Sequence, residues 1–140
     1  MVDFILDNLA IGNAADAWSG LTTVDALLCV AQEIELPAGF SVSHKVAIVD
    51  MQPIPAEQMA EAVSWIDTTI ARHRVLVFCN AGVGRSSSCV IAYLCCKRGF
   101  GFGEAVEFVA RRRPYISILP NLLLTIEAVN SLQGGLKVGV

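Results

Sequence analysis

The chemistry in this chain is concentrated in one stretch, Val75-Leu76-Val77-Phe78-Cys79-Asn80-Ala81-Gly82-Val83-Gly84-Arg85-Ser86-Ser87-Ser88. A thiol and a guanidinium are separated by five residues, two of them glycine, and a serine cluster follows. Four apolar residues lead in, and an apolar segment with helical spacing leads out. The pattern predicts a strand, a tight loop and a helix whose N-terminus points back at the loop. An anion held there would meet backbone amides, a fixed guanidinium and the positive end of a helix dipole. The same surroundings favour the thiolate of a cysteine at the bottom of the cup. Nucleophile and oxyanion clamp arrive together.

Two other loops of this general kind do not fit. A nucleotide phosphate loop needs Gly-Lys-Ser/Thr, and no lysine stands here. Gly84-Arg85-Ser86-Ser87-Ser88 nearly matches a serine-hydrolase elbow, but serine replaces its last glycine. That fold also places a histidine after its nucleophile, and His44 and His73 both come before it.

The elements that must position the loop are legible in order. Phe4-Ile5-Leu6 and Leu9-Ala10-Ile11, split by Asp7-Asn8, predict a hairpin at a sheet edge. Asn13 caps a helical turn through Trp18, which Gly20 ends. The apolar runs Ala26–Val30 and 46–49 read as interior strands covered on both faces, with a loop marked by Pro37, Gly39 and Ser41 between them. After Asp50, Pro53 and Pro55 hold an extended segment, and Pro55 suits the first position of a helix. That helix carries Met59, Val63, Ile66 and Ile70 as one apolar stripe. Beyond Ser86, Cys89, Tyr93, Cys96 and Phe100 repeat with helical spacing, and Gly99 and Gly101 break the run. A further helix spans about 102–112 and stops at Pro114. Pro120-Asn121 caps a last helix to about Leu132, after which Gly134-Gly135 releases a fraying tail. Strands alternating with helices, then helices alone, predict one α/β domain over 1–140 with helices on both faces of a small sheet.

The 140 residues are 54% apolar and 16% charged, with a net charge of −3. That length supports one core without staples. No apolar run reaches the ~18 residues of a membrane span, and Asp3 and Asp7 in place of a basic N-terminal region argue against a secretory signal. The chain reads as cytoplasmic, with its five cysteines as free thiols. Without C-x-x-C pairs, and with only two histidines, no metal site is expected. The charge leaves no footprint for nucleic acid; Arg111-Arg112-Arg113 is the one basic run and reads as a solvated helix end.

Cys79-x5-Arg85-Ser86 resembles the signature of the cysteine-dependent protein tyrosine phosphatases, and the wider chain resembles their compact dual-specificity phosphatase branch. The residues carrying this likeness are Asn8 through Asn13, Asp50 after a strand, Val75 through Cys79, Ile91-Ala92-Tyr93-Leu94, Glu104 through Val109, Arg112-Arg113-Pro114 and Pro120-Asn121. The resemblance implies a small central mixed, mostly parallel sheet of about five strands flanked by helices on both faces. It also implies a set of roles. Cys79 attacks phosphorus and becomes a phosphocysteine without metal or cofactor. Arg85 clamps two phosphate oxygens bidentately, and the amides of Asn80, Ala81, Gly82, Val83, Gly84 and Arg85 complete the cradle. Ser86 hydrogen-bonds the sulfur and improves it as a leaving group. Asp50 is the general acid, with Glu57 as the fallback.

Arg113 matches a position that lines a secondary anion site in some relatives, and reads equally well as a cation at a helix C-terminus. Cys29 sits where some relatives carry a protective second cysteine that pairs with the nucleophile, and reads more simply as a buried small hydrophobe. One departure stands out. The family usually places histidine before the cysteine, where it braces the loop, and this chain has Phe78. The implied activity is hydrolysis of phosphotyrosine and phosphoserine/phosphothreonine in protein substrates. A phosphate-binding protein with little turnover is the rival. A phosphoinositide or RNA 5′-phosphatase ranks third, because the loop interior adds no lysine or arginine to meet a polyanion.

Overall fold

The structure, a computed structural model, describes residues 1–138, with side chains to Leu132. Its centre is a five-stranded sheet in the order β1-β2-β5-β3-β4. The strands are β1 (Asp3–Leu6), β2 (Leu9–Asn13), β3 (Ala26–Cys29), β4 (Val42–Lys45) and β5 (Val75–Cys79). β1 pairs antiparallel with β2, forming the expected edge hairpin, and every other pairing is parallel. All five residues of β5 are buried, and each large apolar side chain removed from water there contributes roughly 1.5–3 kcal/mol. Being central and apolar on both faces, β5 delivers Cys79 to a rigid C-terminal edge of the sheet.

The helices are α1 (Ala14–Ala17), α2 (Ala56–Thr69), α3 (Arg85–Lys97), α4 (Phe102–Arg112) and α5 (Leu122–Val138). α1 packs against β2 and β5, while α3 joins α2, α4 and α5 into one helical layer. The α2 stripe of Met59, Val63, Ile66 and Ile70 is buried as its spacing predicts. α3 is enclosed more completely than a stripe: every residue from Arg85 to Leu94 is buried. Asn13 caps α1 and forms a capping box with Asp16.

Two expectations are corrected. The fourth strand is Val42–Lys45, not the apolar run 46–49, and its residues are only half buried. It is an edge strand, so it needs no apolar face on both sides. The apolar run leaves the ladder after the Val46 amide donates to the Cys29 carbonyl (2.9 Å), then alternates buried Val46 and Ile48 with exposed Ala47 and Val49. At the other end, α5 continues to Val138 through the two glycines expected to release a tail.

Candidate active site

β5 ends in Cys79, and α3 begins at Arg85. Between them Asn80–Gly84 turns the chain around a cup. Four carbonyls of this loop are held from outside by four separate donors. Ala14 N–H donates to Asn80 O (3.3 Å), Ser117 N–H to Val83 O (3.0 Å) and Ser88 N–H to Gly84 O (2.9 Å), and Arg113 Nε–H donates to Gly82 O (2.7 Å). In a trans peptide the N–H points opposite to its carbonyl, and there are no cis bonds among the described residues. The amides of Ala81, Val83, Gly84 and Arg85 therefore turn into the cup. No side chain caps the N-terminus of α3, so its free amides face the same way. Gly82 alone permits this turn: its φ is +69°, and a Cβ there would lie 2.5 Å from Gly12 O.

Cys79 and Ser86 are both buried, with Sγ and Oγ 3.3 Å apart. Arg85 is 1% exposed, and the division of its five N–H groups is informative. Nη1 donates to Glu33 Oε1 (2.7 Å) and to the Ile48 carbonyl (3.0 Å), and Nη2 donates to Glu33 Oε2 (2.6 Å). Nε is buried without a hydrogen-bond partner. The N–H groups left over, on Nε and Nη2, form the side edge of the guanidinium, a fork matched to two phosphate oxygens. Glu33 thus secures the end of the arginine and leaves its side for an anion. That hydrogen bond holds the Glu33 carboxyl down to about 2 and raises Arg85 above its ordinary value. Glu33 was not singled out from sequence; an acidic residue four positions after the buried Cys29 of β3 was the available signal.

Asp50 stands over the cup. Its Oδ1 lies 3.6 Å from Arg85 Nε, accepts the Met51 N–H at 2.9 Å and would lie 3.7 Å from a Cβ on Gly84. Met51 adopts φ +61°, a conformation that turns the chain sharply just after the acid. The segment after α4 closes another wall: a Cβ on Gly84 would meet Leu119 Cδ2 at 3.2 Å and Ser117 O at 3.5 Å, and Leu119 N–H donates to Ser88 Oγ (3.0 Å). Glu57 is exposed in the first turn of α2.

Arg113 is placed behind the loop as a brace. Besides Gly82 O, its guanidinium donates to Asp3 Oδ2 (2.7 Å), Met1 O (2.8 Å) and Ile11 O (3.3 Å). Its Nε and Nη1 are thereby engaged with the protein. Cys29 pairs in register with Phe78, one residue from Cys79 along the neighbouring strand. Its thiol, raised by burial, points at the carbonyls of Ala31 (3.5 Å) and Ile34 (3.4 Å). Phe78 is fully buried, and its carbonyl receives the Val30 N–H (2.9 Å). The side chain of Phe78 makes no hydrogen bond to the loop, whose carbonyls are held by Arg113 and by backbone amides. Among the described residues no cluster of histidine, cysteine or carboxylate is arranged to hold a metal.

A cysteine and an arginine closing a strand–loop–helix anion cup at the edge of a mixed sheet define the cysteine-phosphatase type of site. Residues 32–130, well over half the chain, match the family model described as the dual specificity phosphatase catalytic domain. The chain belongs to that family. Human dual specificity protein phosphatase 4 is 47% identical over 58 residues, a stretch covering 41% of this chain and 15% of that protein. Arabidopsis thaliana dual specificity protein phosphatase 1B is 38% identical over 76 residues, 53% of this chain and 46% of that one. The chain thus aligns with less than half of each of these two relatives. The fold is shared with human DUSP28 (TM-score 0.81, 20% identity, covering 94% of this chain and 95% of that chain). It is also shared with the human tyrosine phosphatase-like serine/threonine/tyrosine-interacting protein (TM-score 0.82, 21% identity, covering 94% and 97%).

Proposed function

We propose that this chain hydrolyses phosphomonoesters on phosphorylated proteins, through a phosphocysteine on Cys79. The observation that carries this reading is the free side edge of Arg85, buried in the same cup as the Cys79–Ser86 pair. In the first step the Cys79 sulfur attacks phosphorus and the bond to the leaving oxygen breaks. Asp50 gives that oxygen its proton. In the second step water attacks the phosphocysteine, Asp50 takes the water proton, and the phosphorus–sulfur bond breaks. Ser86 Oγ–H donates to the departing sulfur, and inorganic phosphate leaves. Arg85 and the loop amides hold the equatorial oxygens throughout, in a site where such donors need no reorganisation. The family's dual specificity supports phosphoserine and phosphothreonine as well as phosphotyrosine as substrates.

A second reading, phosphate binding with little turnover, draws on Phe78, which supplies no polar bond to the loop. One experiment separates the two: metal-free hydrolysis of an aryl phosphate by the wild type and by Cys79→Ser. Turnover lost in Cys79→Ser supports the enzyme. An inert wild type that still binds phosphopeptide supports the binding protein.

A further inference from the structure

Exposed large apolar side chains gather around the cup. Val49 and Met51 flank Asp50 and are 43% and 82% exposed, and Tyr115 and Ile118 are 86% and 40% exposed. Both segments touch the loop itself, through Asp50 and through Ser117 and Leu119 at Gly84. Tyr115 and Pro114 also line a cleft of about 330 Å³ with Val83, a residue of the loop. Single exposed apolar residues need no explanation, but a group sharing one rim marks a binding surface.

The charges around this rim are acidic or already engaged. Arg113, at the same cleft, is held by Asp3 and three carbonyls. Lys45, close to Glu33, donates its ammonium to the carbonyls of Gln32 (3.0 Å) and Ile34 (2.8 Å). Glu33 and Asp3 are themselves paired with Arg85 and Arg113, so the half-exposed Asp50 is the carboxylate left to face a substrate segment. An acidic flank or a second phosphate would meet that carboxylate, while apolar flanks would cover the exposed rim.

Resting on the phosphatase reading, we propose that the substrate is a singly phosphorylated protein segment with apolar residues beside the phosphoresidue, seated on Met51 and Tyr115. The test compares kcat/KM for three phosphopeptides sharing one phosphoresidue: apolar flanks, acidic flanks, and a second phosphate two residues away. An aryl phosphate serves as the common reference. The apolar peptide is expected to lead, and Tyr115→Ser and Met51→Ser should each lower its kcat/KM relative to the aryl phosphate by about tenfold, the effect of partly re-exposing one large side chain. Equal or faster turnover of the acidic or doubly phosphorylated peptide would overturn the proposal, as would an unchanged ratio in both variants. Co-sedimentation with phosphatidylcholine/phosphatidylserine vesicles that Met51→Ser and Tyr115→Ser abolish would assign the rim to a membrane instead. If neither aryl phosphate nor peptide is hydrolysed, the phosphatase reading fails; the same order of preference is then expected in peptide binding measured by fluorescence anisotropy, and its absence there overturns the rim as well.

Discussion

Glu33 grips both terminal nitrogens of Arg85, at 2.7 and 2.6 Å, across 52 residues of chain. The pair turns a long, rotamer-rich side chain into a fixed fork, with only its side edge open to the cup. Glu33→Ala should lower kcat/KM by about 10²-fold, equivalent to losing roughly 2.7 kcal/mol of positioning in the transition state. Arg85→Lys should fall further, because an ammonium cannot hold Glu33, Ile48 and two phosphate oxygens together. The pH dependence of stability gives an independent check. The Glu33 carboxyl is depressed from 4.5 to about 2, so its contribution is full above about pH 4.5 and fades as pH falls toward 2. The stability difference between wild type and Glu33→Gln should follow that course in urea melts taken across the range.

Asp50 and Ser86 should separate kinetically. Asp50→Asn is expected to cut kcat by about 10²–10⁴ for poor leaving groups. For an activated aryl leaving group, which needs little protonation, the loss should be smaller. Ser86→Ala should slow the second step, so rapid-quench measurements would show a burst of aryl alcohol followed by slow turnover. An unchanged pH–rate profile in Asp50→Asn would remove that residue from the acid role.

Gly82 and Gly99 make a matched pair for backbone strain. Both have positive φ, +69° and +75°, but a Cβ at Gly82 would strike Gly12 O and Arg113 Nη2, while nothing lies within 4 Å of one at Gly99. Gly99→Ala should cost about 1 kcal/mol, and Gly82→Ala distinctly more, with loss of activity as the loop opens. Thermal melts and aryl phosphate turnover measured on both variants test this.

Arg113 connects the loop to the N-terminal hairpin through Gly82 O and Asp3. Arg113→Ala should reduce both Tm and kcat/KM, since a mobile loop presents its amides poorly. Arg113→Lys should not rescue it, because one ammonium cannot span acceptors that a planar fork reaches together. Asp3→Ala should give a milder loss of the same kind, measured by the same two assays.

Cys29 is buried and donates toward Ala31 and Ile34 carbonyls, and burial keeps it neutral. A neutral thiol is a weak partner for an oxidised Cys79. After peroxide treatment, peptide mapping should find oxidised Cys79 and a reduced Cys29. A Cys29–Cys79 linked peptide would instead establish the protective disulfide.

The shape of the cup was legible because it is local. Val75 to Ser88 is a strand, a loop and a helix start in one run of chain, so residue types and spacing alone place a thiol, a tight loop and a guanidinium together. The parallel sheet and the α2 and α4 helices were legible for a related reason: apolar periodicity and proline or glycine stops are written within each segment. The tertiary structure decided what depends on distant partners. Glu33 reaches Arg85 across 52 residues, and Arg113 reaches Gly82 across 31 and Asp3 across 110; no short-range pattern records such pairings. The same holds for β4, which lies at the sheet edge and keeps half-polar residues because its outer side needs no cover. Phe78 shows the division most clearly. By sequence it removes a brace from the loop, while in three dimensions three loop carbonyls are held by Ala14, Arg113 and Ser117 from other places in the chain, and buried peptide groups must find such partners wherever the fold brings them.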